Sequence, residues 1–199
     1  ADLPEELAEW TQISVSRLAG SAFMGVYHDP RHEGNPPGFT VTCCEIELDL
    51  ETGKYEILDM VTIAESGTIV HPQGMENQLV GGAVWGIGLS GYERHLYDPQ
   101  NGLPASTGYW QSKVPTYLDT PVKIGTGWVD LPDPENPVGA RGIGEPSMGA
   151  VSAALTAAIT DALDGHHFAT APITADMIIN HLAGTEENAA PLAQNNFRG

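Results

Sequence analysis

Two short segments carry residues whose types and spacing could do chemistry. In GARGIGEPSMGA a single carboxylate, Glu145, follows Gly142 and Gly144 and precedes Pro146. A residue before proline is pushed towards extended backbone, so the sequence predicts a carboxylate held at the mouth of the helix that follows. The positive end of a helix favours the ionised carboxylate, the form a general base needs. The plainer alternative is a glutamate that only caps the helix. In ENQLVGG, Gln78 stands ahead of Gly81 and Gly82. Its amide both donates and accepts, and glycine lets a polar ligand come close. Here the plainer alternative is a helix-end glutamine beside a packing contact.

Other candidates carry less. His28 and His32 have the spacing of helical metal ligands, but Pro30 between them removes the helix. His166 and His167 read as ordinary surface. Gly142 and Gly144 begin like a dinucleotide-binding fingerprint, yet Pro146 follows and the third glycine is missing. No serine-hydrolase elbow, zinc-protease HExxH or phosphate-loop lysine motif occurs. The two cysteines, Cys43 and Cys44, are neighbours, which disfavours a disulfide and supplies too few ligands for structural zinc. A reducing, cytoplasmic setting is expected.

The elements that must hold Gln78 and Glu145 can be read from periodicity. Leu3, Leu7, Trp10, Ile13 (or Ser14) and Leu18 approximate helical spacing, so a first helix is expected from Asp2 to Ala19. The proline-dense stretch from Gly20 to Gly38 reads as a loop. Phe39 to Leu50 and Lys54 to Ile63 read as two strands joined by ETGK. Ile46, Leu48 and Leu50 share one face of the first strand, and Tyr55, Ile57, Val61 and Ile63 line the second. The Cys43-Cys44 doublet marks an expected bulge. Met75 to Gly91 can be helical only if its five glycines are repaid by close approach of a backbone or a ligand, since each costs about 1 kcal/mol relative to alanine. A short strand over Glu93 to Tyr97, a strand near Val122 to Leu131, an alanine-rich helix from Ser147 to Leu163 and a last helix from Thr174 to Leu182 complete the reading. This order predicts an α+β domain over 1–184, with 185–199 as a tail, disordered or docked on a partner.

Composition sets the outer bounds. The chain has 199 residues with 23 Gly and 15 Pro, more turn chemistry than a helical bundle tolerates. Its formal net charge of −18 argues against nucleic acid and anionic membrane as partners. No apolar run reaches a membrane span, and the acidic start lacks the pattern of a secretory signal, so an untargeted soluble chain is expected.

In chain order, CCEIELDLETGKYEILDMVTIAESGTIVHPQGMENQLVGGAVWGIGLSGYE, DLPDPENPVGARGIGEPSMGAVSAALTAAITDAL and ITADMIINHL resemble the C-terminal part of the molybdenum-binding subunit of the xanthine dehydrogenase and aldehyde oxidoreductase family. The chain looks like the smaller half of a split molybdenum subunit, as in nicotinate dehydrogenase-like enzymes, or like a fragment of one. The resemblance implies the C-terminal half of a molybdenum-cofactor-binding domain, a β-hairpin sheet with packed helices. It gives Gln78 and Gly144 a place against the cofactor and makes Glu145 the base beside the metal, with no metal ligand from this chain. The implied cofactor is molybdenum-pterin, as molybdopterin or its cytosine dinucleotide. The implied reaction is hydroxylation of an N-heteroaromatic compound or an aldehyde with water as oxygen source. The implied partners are a larger molybdenum-binding chain carrying the rest of the site, and further subunits holding [2Fe-2S] clusters and FAD. The competing class is a non-catalytic α+β assembly or scaffold module that lacks cofactor, in which Glu145 caps a helix and the glycines pack.

Overall fold

The computed structural model describes residues 38–98, 100–134 and 137–185. The helix expected over 2–19, His28 and His32, nearly all of the 20–38 loop and the tail beyond 185 lie outside those residues.

A β-hairpin begins the described fold. Strand β1 (Phe39–Leu48) pairs antiparallel with β2 (Tyr55–Glu65), and β2 pairs in parallel with β3 (Ile124–Val129), giving the order β1-β2-β3. The ETGK connection is a tight turn. Asp49 accepts from the Glu51 amide at 2.8 Å and from the Thr52 hydroxyl at 2.7 Å, which holds its carboxyl below the usual range. Gly53 supplies the positive φ, 68°, that closes the turn.

The expected bulge sits elsewhere. Burial alternates without a break through Cys43 and Cys44. Instead Glu45 pairs with Asp59 and Ile46 with Ile57, which leaves Leu58 of β2 as the extra residue. A slip of one residue swaps faces, so Met60, Thr62 and Ala64 turn inward while Val61 and Ile63, expected with Ile57, face out. Leu50 also falls outside the strand and is exposed in the turn.

Helix α1 (Pro72–Gly91) starts where His71 Nδ1 accepts from the Gly74 amide at 2.7 Å and Pro72 fills the first turn. A four-residue helix α2 (Tyr109–Ser112), not foreseen, follows a segment in which the expected 93–97 strand is reduced to one bridge between Tyr97 and Pro104. Helix α3 (Pro146–Ala162) and helix α4 (Ala175–Leu182) agree with the two expected C-terminal helices within two residues at each end. The α+β class is as expected.

One face of the sheet carries the core. Ile57 and Met60 of β2 meet Ala83 and Ile87 of α1, and Val151, Leu155 and Ile159 of α3, with Ile178 of α4 closing the cluster. A second, smaller cluster of Ala64, Met75 and Leu79, joined by Ile69 and Ile143, lies nearer the start of α1. His166 is not plain surface. Its ring stacks on His181 with centroids 3.5 Å apart, and Phe168 meets it edge-on. Among the described residues no helix is long and apolar enough to cross a membrane.

Candidate functional site

Residues four apart on a helix share a face, and on α1 that spacing joins Gln78, Gly82 and Gly86. Helix α3 buries Ser147, Val151, Leu155 and Ile159 at the same interval. The two faces are pressed together because the glycines have no side chains. A Cβ at Gly82 would run into the Ser147 hydroxyl, and one at Gly86 would stand 2.6 Å from Val151 Cβ and 2.7 Å from the Met148 carbonyl oxygen. Ser90, one turn on, bonds both the Gly86 carbonyl at 2.7 Å and Ser152 Oγ at 2.8 Å. Close approach of a backbone thus offsets the cost of Gly82 and Gly86. Gly81 has nothing within 4 Å of a Cβ and points away.

This contact fixes what lies one turn before it. Moving from Gly82 towards the start of α1 leads to Gln78, and moving back from Ser147 leads to Glu145. A Cβ at Gly144 would lie only 3.6 Å from Gln78 Oε1. The structure therefore brings Gln78, Gly144 and Glu145 together, and all three are exposed. The Gln78 and Glu145 side chains make no hydrogen bond or ion pair to other described residues.

Glu145 departs from its expected backbone. It has φ −118° and ψ −23°, helical rather than extended, because its carbonyl accepts the Met148 amide at 3.0 Å and so opens the first turn of α3. That hydrogen bond outweighs the preference set by Pro146. Glu145 occupies the cap position, yet its carboxylate makes no capping bond. The capping alternative has no support in this geometry.

The loop ahead of Glu145 is tied to the end of β2. Arg141 Nη2 pairs with Glu65 Oε1 at 2.8 Å and its Nε with Asp133 Oδ2 at 3.4 Å. The Arg141 amide donates to the Ser66 carbonyl at 2.6 Å, and the Thr68 and Asp133 amides both donate to the Gly139 carbonyl. Gly67 and Gly139, at φ 75° and 74°, pass so close that a Cβ on Gly67 would strike the Gly139 carbonyl.

Sequence reasoning missed Arg141, Glu65, Asp133, Ile143 and Ser147. Glu65 and Arg141 stand 76 residues apart, and nothing in one sequence pairs them. Ser147 is fully buried against Gly82, and its hydroxyl has no hydrogen-bond partner among the described residues. Proton affinities are shifted under the hairpin. Burial, with Asp59 nearby, pushes the Cys44 thiol up to about 11, and burial also raises Tyr55 and Tyr92. All three side chains pack against the core cluster. Among the described residues no three His, Cys, Asp or Glu side chains group to hold a metal ion.

The surroundings of Gly144 suit a polar cofactor that brings its own donors and acceptors. Gln78 and Glu145 offer unengaged polar ends beside Gly144, an exposed glycine with no side chain of its own to hinder a ligand.

Comparison with known proteins agrees in sequence and in fold. The molybdopterin cofactor-binding domain profile matches residues 5–121, a range that includes Gln78 and stops before Glu145. The chain is 36% identical over 147 residues to the 6-hydroxypseudooxynicotine dehydrogenase complex subunit gamma of Paenarthrobacter nicotinovorans, covering 73% of this chain and 18% of that one. It is 30% identical over 152 residues to the xanthine dehydrogenase molybdenum-binding subunit of Escherichia coli O157:H7, covering 75% and 20%. Its fold matches quinoline 2-oxidoreductase from Pseudomonas putida 86 with a TM-score of 0.64 and 31% identity, over 69% of this chain and 18% of that one. The chain thus spans about a fifth of the length of these relatives. With more than half of its length inside the matched range, the chain belongs to the molybdopterin cofactor-binding domain family, that of the molybdenum-binding subunits of xanthine dehydrogenases and related hydroxylases.

Proposed function

We propose that the chain supplies part of the cofactor site of a molybdenum hydroxylase that oxidises an N-heteroaromatic compound or an aldehyde, with water as the oxygen source. The observation that carries this reading is the meeting of Gln78 with the Gly144-Glu145 step at the α1–α3 contact. In it, Gln78 and Gly144 hold the molybdenum-pterin group and Glu145 is the general base. When bound, that group supplies the two-electron acceptor. Gln78 gives it one donor and one acceptor from the side of α1. Gly144 lets it approach the loop backbone without a side chain in the way. Glu145, free of any capping bond, accepts a proton at the exposed edge of the site.

Names of similar proteins support the substrate class: one acts on quinoline, another on 6-hydroxypseudooxynicotine. The chain's share of its relatives supports a further chain, or chain segment, that carries the rest of the cofactor site. Electrons then leave through [2Fe-2S] clusters and FAD on partner subunits, in a cytoplasmic complex.

Gln78→Ala tests the cofactor contact. Losing a polar partner of the bound group costs about 1 to 3 kcal/mol, or about 5- to 150-fold in affinity. Gln78 is exposed and makes no bond within the described fold, so thermal unfolding should be unchanged while molybdenum per chain falls in the assembled enzyme. Full molybdenum occupancy with parental turnover would show that Gln78 does not hold the cofactor.

A further inference from the structure

We propose that Arg141 is the positioning residue for Glu145, acting through the loop between them rather than by touching a ligand. This rests on the reading of Glu145 as the base. The problem it solves is set by the sequence: the segment from Arg141 to Glu145 contains Gly142 and Gly144, neither of which has a side chain to anchor it. Both are exposed, and a Cβ at Gly142 would have nothing within 4 Å. A base needs a defined place, because misplacement by about 1 Å can cost about a hundredfold in rate.

Besides the Arg141 amide bond to the Ser66 carbonyl, two side-chain attachments supply that place. The first is ionic. The Arg141 side chain is 16% exposed and reaches Glu65 Oε1 at 2.8 Å and Asp133 Oδ2 at 3.4 Å, with Asp133 itself only 4% exposed. Glu65 Oε1 also accepts the Gly67 amide at 2.9 Å, so the guanidinium is fastened to a carboxylate that is itself held by the turn after β2. The second attachment is apolar: Ile143 packs on the cluster of Ala64, Met75 and Leu79. Met75 and Leu79 flank Gln78 on α1, so the cluster that seats Ile143 also seats the helix turn carrying Gln78. Arginine suits the ionic point because its planar fork serves two carboxylates at once, whereas lysine offers a single point charge. Without the cation, Glu65 and Asp133 would face each other as like charges in a partly buried pocket, and the loop would lose its ionic tie while keeping the backbone bond at residue 141 and the Ile143 packing.

The test uses the assembled, molybdenum-loaded complex, with rates expressed per bound molybdenum. Arg141→Met should lower kcat about 10- to 100-fold with KM within about twofold, and Arg141→Lys should recover part of the loss. In the Glu145→Gln background, Arg141→Met should cause no further loss beyond about twofold, since nothing remains to be positioned. Hydrogen exchange at the amides of residues 141 and 148, which donate to the Ser66 and Glu145 carbonyls, should quicken at least about tenfold in Arg141→Met, with exchange in the core of α3 unchanged. Should that variant fail to assemble, Glu65→Gln, which removes the closer charge and keeps an acceptor for the Gly67 amide, carries the same comparisons. An equal loss in both backgrounds, or unchanged kcat with unchanged exchange, would overturn the proposal. Retained turnover in Glu145→Gln alone would instead overturn the reading of Glu145, while the exchange result would still decide whether Arg141 holds the loop.

Discussion

Glu145→Gln should leave assembly, molybdenum content and melting temperature close to those of the parent while kcat falls at least about a hundredfold. A positioned base typically contributes 10² to 10⁴ in rate, roughly 3 to 5 kcal/mol of barrier. Glutamine keeps the size and shape of the side chain and removes its basicity. The stability side of the expectation rests on the observed geometry. Glu145 sits at the cap position of α3 but makes no capping hydrogen bond, and it is exposed. A capping glutamate would show the opposite pattern, a loss of about 1 kcal/mol in stability with activity kept. Turnover and thermal unfolding measured on one metal-loaded preparation distinguish the two. Retained turnover would end the assignment of Glu145 as the base.

Gly86→Ala should destabilise the fold by about 2 kcal/mol, and the neighbouring change Gly81→Ala should stabilise it by up to about 1 kcal/mol. Both replace a glycine of α1 with the best helix former, a gain of roughly 1 kcal/mol from propensity alone. What separates them is the neighbour. At Gly86 the new methyl would meet Val151 Cβ at 2.6 Å and the Met148 carbonyl oxygen at 2.7 Å, and a backbone carbonyl cannot rotate aside. The helices must part, at the upper end of the overpacking range, about 3 kcal/mol. At Gly81 the methyl meets nothing within 4 Å. Denaturant unfolding of the two variants beside the parent checks this, and stabilisation by both would contradict the packing described between α1 and α3. Met148 lies in the first turn of α3, so Gly86→Ala also shifts the start of that helix and with it Glu145.

The elements around the site were legible where local chemistry decides them. The hairpin follows from alternation and the ETGK turn and α3 from its alanine-rich run, while α1 is readable as a helix only on the condition that its glycines are packed closely. The two candidate side chains were picked out separately, each from its own glycine-flanked segment. What periodicity could not supply was the slip at Leu58: the unbroken odd phase of Tyr55, Ile57, Val61 and Ile63 already reads as an apolar face, and it is packing against the helices that turns Met60 and Ala64 inward instead. The backbone of Glu145 was misjudged because a local rule about Pro146 competes with the first hydrogen bond of α3, and the bond wins. Arg141 was passed over for a different reason. Its partners, Glu65 and Asp133, come from the end of β2 and the segment after β3, and ion pairs of that span leave no mark on sequence spacing.

The most direct measurement is molybdenum and pterin content per copy of the chain, determined across a size-exclusion profile of the chain purified with its natural partner subunits. Gln78, Gly144 and Glu145, the residues proposed to meet the cofactor, are exposed, and the chain corresponds to about a fifth of its relatives' length. The assembled species should therefore carry about one molybdenum with its pterin per chain, and the chain by itself none. An intact, purified assembly containing the chain but neither molybdenum nor pterin would contradict the assignment of a cofactor site to this domain.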